Sequence, residues 1–193
     1  MLRRIVGKIV TVRERLCLLQ REFYTLMSLE EIPVRNEGGI VFRGCKRFEL
    51  IRLRSLYLRL NVNGALSVFR TVCYFVSGYK FIVVAQDSSS GRLVGMDVYY
   101  FNHRDLVENT VHEGFVGVEP AYEGRGIATI MRFLAKKHFK IGGISGISTR
   151  ISPDNKASLG SACKAGFEII DQPKDKADNG ASYYMVCNLE SGN

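Results

Sequence analysis

The segment VGVEPAYEGRGIA at residues 116–128 constrains the fold more than any other part of the sequence. It joins the apolar pattern of a buried strand to that of an amphipathic helix, through a turn that contains Gly124 and Gly126. The first turn of a helix has backbone N–H groups without partners and the positive end of the helix dipole. Glycines let a backbone approach an anion closely. The segment therefore predicts a strand–turn–helix unit that binds a phosphate group.

Apolar periodicity predicts six strands and two helices in the chain beyond residue 80. The strands fall at residues 81–85, 92–101, 110–118, 144–151, 167–170 and 183–189, with a hairpin turn at 87–91 and a polar connection at 102–109. The helices fall at residues 126–140 and 153–165, and Gly166 is placed to end the second one. This order predicts an α/β fold with one mixed, mostly antiparallel sheet and helices on both of its faces.

The earlier part of the chain has weaker patterns. Helices are predicted at residues 9–29 and 65–76, and a loop at 33–39. Residues 46–60 fit either one helix or a mixed segment, with an apolar stripe of Phe48, Ile51, Leu53, Leu56 and Leu60. A length of 193 residues suits a single domain spanning 1–193.

Composition favours a cytoplasmic protein without a metal site. No apolar run approaches the roughly 18–20 residues that cross a bilayer, and charges interrupt the first twenty residues, unlike a secretory signal. The five cysteines are odd in number, widely spaced and without a CxxC pair. This usage predicts neither a disulfide framework nor a zinc site.

The net charge of +8 is concentrated near the start of the chain. Residues 1–60 hold 13 Lys and Arg against 6 Asp and Glu, whereas the remaining residues are almost balanced. Such asymmetry fits a nucleic acid, a membrane surface or an acidic partner, and it equally fits a solvated helix face. The basic segment has no recognisable reader motif, so nucleic-acid binding is disfavoured.

Three phosphate-binding motifs compete for the glycine turn. The P-loop pattern GxxxxGK[ST] has no match in the chain. The dinucleotide pattern GxGxxG requires a third glycine where Thr129 stands, and its strand would not follow an antiparallel meander. The third candidate is the acyl-coenzyme A turn, [QR]-x-x-G-x-[GA], which residues 123–128 match except at the first position.

At these residues the chain resembles the GNAT superfamily of acyl-CoA-dependent N-acyltransferases. One motif is Val118 to Ala128, and the other is Asn155-x-x-Ser158 followed by the run 164–167, KAGF. The resemblance covers about residues 80–189 and implies an acyl-CoA-binding core there, with residues 1–79 as a variable helical part that shapes the acceptor site. It implies that coenzyme A is bound by Val116, Gly117, Val118, Glu123, Gly124, Arg125, Gly126, Ile127, Ala128, Thr129, Asn155 and Ser158.

Two departures from the family pattern stand out. Glu123 takes the place where the family usually has Gln or Arg, and its carboxylate would repel a pyrophosphate unless it points outwards or Arg125 compensates. Ala162 stands where many members carry a tyrosine that protonates the leaving thiolate. Its neighbours Ser161 and Cys163 could substitute, although packing roles are favoured for both.

The strand before the turn offers two proton acceptors, His112 and Glu113. An acceptor amine is mostly protonated at neutral pH, so a base assists its attack on the thioester. Strict alternation would place His112 on one face with Gly114, Val116 and Val118, and Glu113 on the other. The ordinary pKa of histidine suits a base better, so His112 is favoured as the catalytic residue over Glu113.

The predicted reaction is direct transfer of an acetyl group from acetyl-CoA to the primary amine of a small molecule. The tract 147–152 followed by Asn155 is similar to GNAT members of surface-polysaccharide gene clusters, which suggests an amino sugar. The mouth of the acceptor site could be lined by Arg104, Asp105, Tyr99, Tyr100 and Tyr183. The alternatives are a long-chain N-acyltransferase fed by acyl-carrier protein and a non-catalytic CoA-binding protein. A homodimer is left open.

Overall fold

The computed structural model describes residues 27–60, 78–172 and 182–190, together with 16, 17, 20, 23–25 and 74. Its strands are β1 (Arg35–Glu37), β2 (Ile40–Gly44), β3 (Ile82–Asp87), β4 (Leu93–Tyr100), β5 (Thr110–Val118), β6 (Gly146–Ile151), β7 (Glu168–Asp171) and β8 (Tyr183–Asn188). Its helices are α1 (Leu50–Leu60), α2 (His103–Glu108), α3 (Ile127–Ile141) and α4 (Lys156–Lys164), with 3-10 turns at Arg47–Glu49 and Pro120–Tyr122.

All eight strands belong to one sheet, in the order β1-β2-β3-β4-β5-β6-β8-β7. Neighbouring strands are antiparallel except β5 and β6, which run parallel. This arrangement confirms the predicted mixed, mostly antiparallel sheet. Among the helices that the structure describes, none is long and apolar enough to cross a membrane.

Helices cover both faces of the sheet, as predicted. A Cβ added at Gly95 of β4 would lie 3.4 Å from Ile127 of α3, whereas one at Gly117 of β5 would lie 3.0 Å from Leu60 of α1. The α3 face is filled by aromatic packing, with Phe139 4.9 Å from the ring of Tyr99. We refer below to the α1 face and the α3 face of the sheet.

Most predicted elements beyond residue 80 are confirmed. Two segments predicted as irregular connections, 33–39 and 102–109, contain regular secondary structure instead. The loop predicted at 33–39 is part of the β1–β2 hairpin, whose turn uses Gly38 and Gly39 at positive φ. The connection predicted at 102–109 contains α2, because Asn102 caps its first turn with its side chain and Asn109 ends it in a left-handed conformation. Short polar helices lack the apolar periodicity from which helices are predicted.

The predicted apolar stripe at 46–60 is partly wrong. Residues 50–60 form one helix, α1, and Leu53 and Leu56 are fully buried in it. Phe48 and Ile51 are instead exposed, at 91% and 83%. The helices predicted at 9–29 and 65–76 fall mainly outside the described residues, and those parts described, such as 23–25 and 74, are helical.

A bulge at Gly114 overturns the predicted faces of β5. Val98 of β4 pairs with Phe115 and Tyr99 pairs with Glu113, which leaves Gly114 as an extra residue. A side chain at Gly114 would overlap the ring of Tyr100, so only glycine fits there. His112 therefore shares the α1 face with Phe115 and Gly117, while Glu113 shares the α3 face with Val116 and Val118.

His138 on α3 gives the fold a pH-dependent stability. Its Nε2 lies 2.9 Å from the carbonyl oxygen of Lys80, and burial lowers its pKa to about 4. Because the unfolded chain binds this proton near the ordinary value of about 6.5, the free energy of unfolding should fall as pH drops from 6.5 towards 4. The slope from this group is at most about 1.4 kcal/mol per pH unit.

We expect His138→Gln to flatten the stability profile across that window, measured as urea unfolding at a series of pH values. His103→Gln, at an exposed position on α2, is the control and should leave the slope unchanged. An identical slope in wild type and His138→Gln would contradict the assignment.

Candidate active site

A cavity of about 700 Å³ opens where β5 and β6 separate. The two strands pair only from Thr110 and Gly146 to Glu113 and Thr149, after which β5 continues along the cavity paired with β4 alone. Its wall is formed by the end of β5, the following turn, the start of α3, one side of α4 and the last residues of α1. The lining residues that carry charge or a polar side chain are Arg59, Tyr122, Glu123, Thr129, Asn155, Lys156, Ser158, Ser161 and Lys164.

The turn before α3 presents its backbone to this cavity. Gly124 and Gly126 have φ angles of 74° and 76°, which side chains other than glycine rarely adopt. A Cβ added at either glycine would meet no atom within 4 Å, so both face open space. Because α3 begins at Ile127, its first N–H groups and the positive end of its dipole lie at the cavity.

Charges around the cavity favour an anion. Among the residues that the structure describes, Arg59, Lys156 and Lys164 line it with cationic side chains, and Glu123 lines it with a carboxylate. Arg59 is held in place by Glu119, whose carboxylate lies 2.7 Å from the guanidinium. Glu119 also contacts Arg92 at 3.3 Å, so its own charge is compensated.

The structure brings together eleven of the twelve residues predicted to bind coenzyme A. They are Val116, Gly117, Val118, Glu123, Gly124, Gly126, Ile127, Ala128, Thr129, Asn155 and Ser158. Arg125 is the exception, because its guanidinium lies 4.9 Å over the ring of Tyr122 and 3.4 Å from the oxygen of Ala121. The Arg125 guanidinium is therefore engaged by Tyr122 and Ala121.

The second predicted motif forms the opposite wall. Asn155 caps α4 by accepting a hydrogen bond from the backbone N–H of Ser158 at 3.0 Å. The cap occupies its carboxamide oxygen, so a ligand would be contacted by its NH2 group. Ser161 accepts from Arg132 and donates to the oxygen of Ser158 at 3.1 Å, and both bonds fix it structurally. Ala162 is fully buried.

Residues 53–167 match the sequence model of the acetyltransferase (GNAT) family, which is more than half of the chain. The chain belongs to the GNAT acetyltransferase family. No curated protein matches this acetyltransferase significantly in sequence.

Solved structures share the fold of this acetyltransferase at low identity. The NatC complex bound to Gag peptide and CoA has a TM-score of 0.66 and 18% identity, covering 77% of this chain and 98% of that one. The ribosomal-protein-S5-alanine acetyltransferase from Vibrio fischeri has a TM-score of 0.64 and 15% identity, covering 83% and 99%. The diaminobutyrate acetyltransferase EctA from Paenibacillus lautus was solved with L-2,4-diaminobutyric acid and coenzyme A. It has a TM-score of 0.59 and 18% identity, covering 80% of this chain and 97% of that one.

Glu113 of this acetyltransferase is bound in an ion pair beneath the cavity. Arg132 of α3 donates to both carboxylate oxygens of Glu113, at 2.7 and 2.8 Å, and Thr149 donates to one of them at 3.0 Å. Glu113 and Arg132 are 3% and 0% exposed. Both carboxylate oxygens are thus engaged by buried donors, and Glu113 does not line the cavity. The geometry thus disfavours the second of the two predicted bases.

Arg132 also joins α3 to α4. Its guanidinium donates to the backbone oxygen of Ser158 at 3.2 Å, to the hydroxyl of Ser158 at 3.3 Å and to the hydroxyl of Ser161. One buried cation therefore fixes β5, α3 and α4 around the cavity. Sequence reasoning missed this residue, because an arginine at a helical position is ordinarily solvated.

A second carboxyl group, Asp97, is buried close to this pair. Burial, and then the charge of Glu113, hold the pKa of Asp97 well above its usual range. Its Oδ2 accepts a hydrogen bond from the hydroxyl of Tyr99 at 2.5 Å.

His112 lies on the opposite face, next to the end of the β5–β6 ladder. Its Nδ1 is 2.8 Å from the hydroxyl of Ser148, its partner on β6, and its ring packs 5.1 Å from that of Tyr100. Phe115, the next residue of β5 on this face, lines the cavity. His112 is thus separated from the cavity wall by about 10 Å of strand, three residues at roughly 3.3 Å each.

Two residues predicted at the acceptor mouth are buried instead. Asp105 on α2 is fully buried and accepts a hydrogen bond from Ser148 at 2.8 Å. Tyr99 is fully buried on the α3 face. Arg104 is exposed, as predicted for a mouth residue, and its guanidinium stacks 3.8 Å over the ring of Tyr184, a residue that the sequence prediction did not include.

We expect Arg132→Met to destabilise the protein by about 3–5 kcal/mol, because it leaves Glu113 buried without its counter-ion. Urea unfolding measures this change. Arg35→Met removes an exposed ion pair with Glu37 and should cost no more than about 1 kcal/mol.

Adding Glu113→Gln to Arg132→Met removes the stranded charge, so the double variant should regain part of the lost stability. A double variant that is less stable than Arg132→Met alone would contradict a charge-based account.

Proposed function

We propose that this protein transfers the acetyl group of acetyl-CoA directly to the primary amine of a small molecule. The observation that carries the proposal is the cavity of about 700 Å³ at the left-handed glycine turn, lined by three cations. The volume lies within the range of small-molecule and cofactor sites. Membership of the acetyltransferase (GNAT) family supports both the acyl-CoA donor and the transferase activity.

The donor's pyrophosphate would lie against the N–H groups of residues 124–128, where the α3 dipole and open space next to both glycines favour an anion. The pantetheine arm would run along the edge of β5 that has separated from β6, opposite Asn155 and Ser158. Residues 80–189 supply most of this binding core. Arg59 and Leu60 extend it, so the part of the chain before residue 80 would contribute to the donor site as well as the acceptor site.

His112 is the proposed base. Its ring nitrogen would accept one proton from the acceptor ammonium, and the resulting amine forms a C–N bond with the thioester carbon. The C–S bond then breaks, and the thiolate takes up a proton released from the amide nitrogen. The acceptor has lost two protons in total, one to His112 and one to sulfur, and the products are the N-acetyl compound and free coenzyme A. His112 returns its proton to solvent.

The acceptor is proposed to be a small molecule, and an amino sugar is the first class to test. The resemblance at 147–152 and Asn155 suggests it. The exposed guanidinium of Arg104, which stacks on Tyr184 beside α2, supports an acceptor site on the α1 face. Arg150 of β6 lies 5.3 Å from the same ring and adds a second cation there.

The proposed activity is tested by incubating the purified protein with acetyl-CoA and a panel of amino sugars, diamines and peptides with free N-termini. Release of free thiol and the mass of the acetylated product are measured. We expect amine-dependent thiol release with at least one small amine. Thiol release only with peptides would contradict the small-molecule acceptor, and transfer only from a long-chain acyl-CoA would contradict acetyl specificity.

We expect Gly126→Ala to weaken acetyl-CoA binding by about tenfold or more, which corresponds to about 1.4 kcal/mol. Its methyl group would project into the cavity and its backbone would be forced from φ 76°. Gly143→Ala is the matched control, with the same φ of 76° and open space, at the far end of α3. Isothermal titration calorimetry measures both. Equal affinities in the two folded variants would contradict the proposed pyrophosphate site.

A further inference from the structure

Behind His112 two buried polar side chains form a continuous hydrogen-bonded path. Ser148 of β6 is 2.8 Å from Nδ1 of His112, and its hydroxyl is 2.8 Å from Oδ1 of Asp105 on α2. Ser148 and Asp105 are 0% exposed and His112 is 7% exposed. We call these three residues the relay.

Proton counting fixes the direction of both hydrogen bonds. The hydroxyl of Ser148 donates its proton to Oδ1 of Asp105. A serine hydroxyl has one proton, and none is left to donate to His112. The bond between Ser148 and His112 therefore requires a proton on Nδ1 of the imidazole. In a neutral ring, Nε2 is then the nitrogen that holds the lone pair.

We propose that Ser148 and Asp105 are positioning residues, which hold His112 in its Nδ1–H tautomer so that Nε2 accepts the proton of the acceptor amine. The inference rests on the proposed function, in which His112 is the base. When Nε2 is protonated, the positive ring faces the carboxylate of Asp105 through a single hydroxyl group. That arrangement stabilises the imidazolium without exposing a carboxylate that would compete for the amine's proton.

Hydrogen bonds from three donors hold the carboxyl group of Asp105. Its Oδ2 accepts from the backbone N–H of Asn102 at 2.8 Å, and its Oδ1 accepts from Thr110 at 2.7 Å as well as from Ser148. A carboxylate with fixed partners and a buried hydroxyl need no reorganisation when the ring becomes charged.

Other ionisable groups lie near the relay, and one of them, Tyr184, also forms a hydrogen bond with the hydroxyl of Ser148. They are Tyr57 on α1, Tyr100 on β4, Arg104 and Glu108 on α2, Arg150 on β6 and Tyr184 on β8. Arg104 pairs with Glu108, whose carboxylate also accepts from the hydroxyl of Tyr184 at 3.1 Å. The substitutions below leave all of them in place, so a change in pH dependence reports on the relay.

The first test measures the tautomer directly in the wild-type protein, by long-range 15N–1H NMR correlation of the histidine rings. The His112 signals are assigned by their loss in His112→Gln. We expect Nδ1 to have the chemical shift of a protonated nitrogen and Nε2 that of an unprotonated one. A ring protonated on Nε2 alone would overturn the proposal, whether or not the protein transfers acetyl groups.

The second test compares Ser148→Ala with Thr110→Val. Each removes one hydroxyl that donates to Oδ1 of Asp105, and only Ser148 lies between Asp105 and His112. We expect Ser148→Ala to lower kcat about tenfold or more, with an unchanged KM for acetyl-CoA. The acid limb of its kcat/KM profile should shift to lower pH, because the imidazolium loses its link to the carboxylate. Thr110→Val should stay within about threefold of wild type, without a shift.

Equal losses in the two variants, or an unshifted profile in Ser148→Ala, would mean that Ser148 only supports the fold, which overturns the proposal. Failure of the proposed function is a separate result. If no amine is acetylated, or if His112→Gln keeps the wild-type rate, the role of His112 as base is wrong. The NMR measurement then still decides whether Ser148 and Asp105 fix its tautomer.

Discussion

The cavity depends on one buried ion pair. Arg132 binds Glu113 of β5 with two hydrogen bonds and binds α4 through Ser158 and Ser161, so it joins three of the elements that form the cavity walls. A buried pair adds little net stability over apolar packing, but removing one partner leaves a charge in the core. Burial and the charge of Glu113 raise the pKa of the nearby Asp97, which favours its uncharged form beside the pair. Its geometry defines how far β5 and α4 stand apart.

The bulge at Gly114 then divides the chemistry between the two faces of the sheet. One extra residue turns Glu113 towards α3, where it pairs with Arg132. The same residue leaves His112 on the α1 face beside α2. Without the bulge, His112 would share a face with Val116 and Val118. The donor cavity contacts both faces, through Leu60 and Phe115 on one side and Ile127 on the other. On the proposed function, His112 as the base would place the acceptor on the α1 face, on the side away from α3.

The sequence was sufficient for the sheet, the glycine turn and most of the cavity wall, because these depend on local patterns. Strand and helix periods are visible over ten residues, and two glycines between a strand and a helix predict a tight turn at the start of the helix. The bulge, the role of Arg132 and the burial of Asp105 were not predictable in this way. Each depends on contacts between residues far apart in sequence, such as Arg132 with Glu113, and strict alternation along β5 gave the wrong face.

Ion pairs within the fold account for part of the positive charge of residues 1–60. Arg43 is paired with Glu49 and Arg59 with Glu119, so some of the excess charge is neutralised within the fold. Helix α1 nevertheless carries three arginines and no acidic residue, and it ends in the cavity wall at Arg59 and Leu60. A cationic helix that leads into the proposed site of a polyphosphate donor would raise the local concentration of that donor. On the proposed function, a small anionic ligand explains this basic surface as well as a macromolecular partner would.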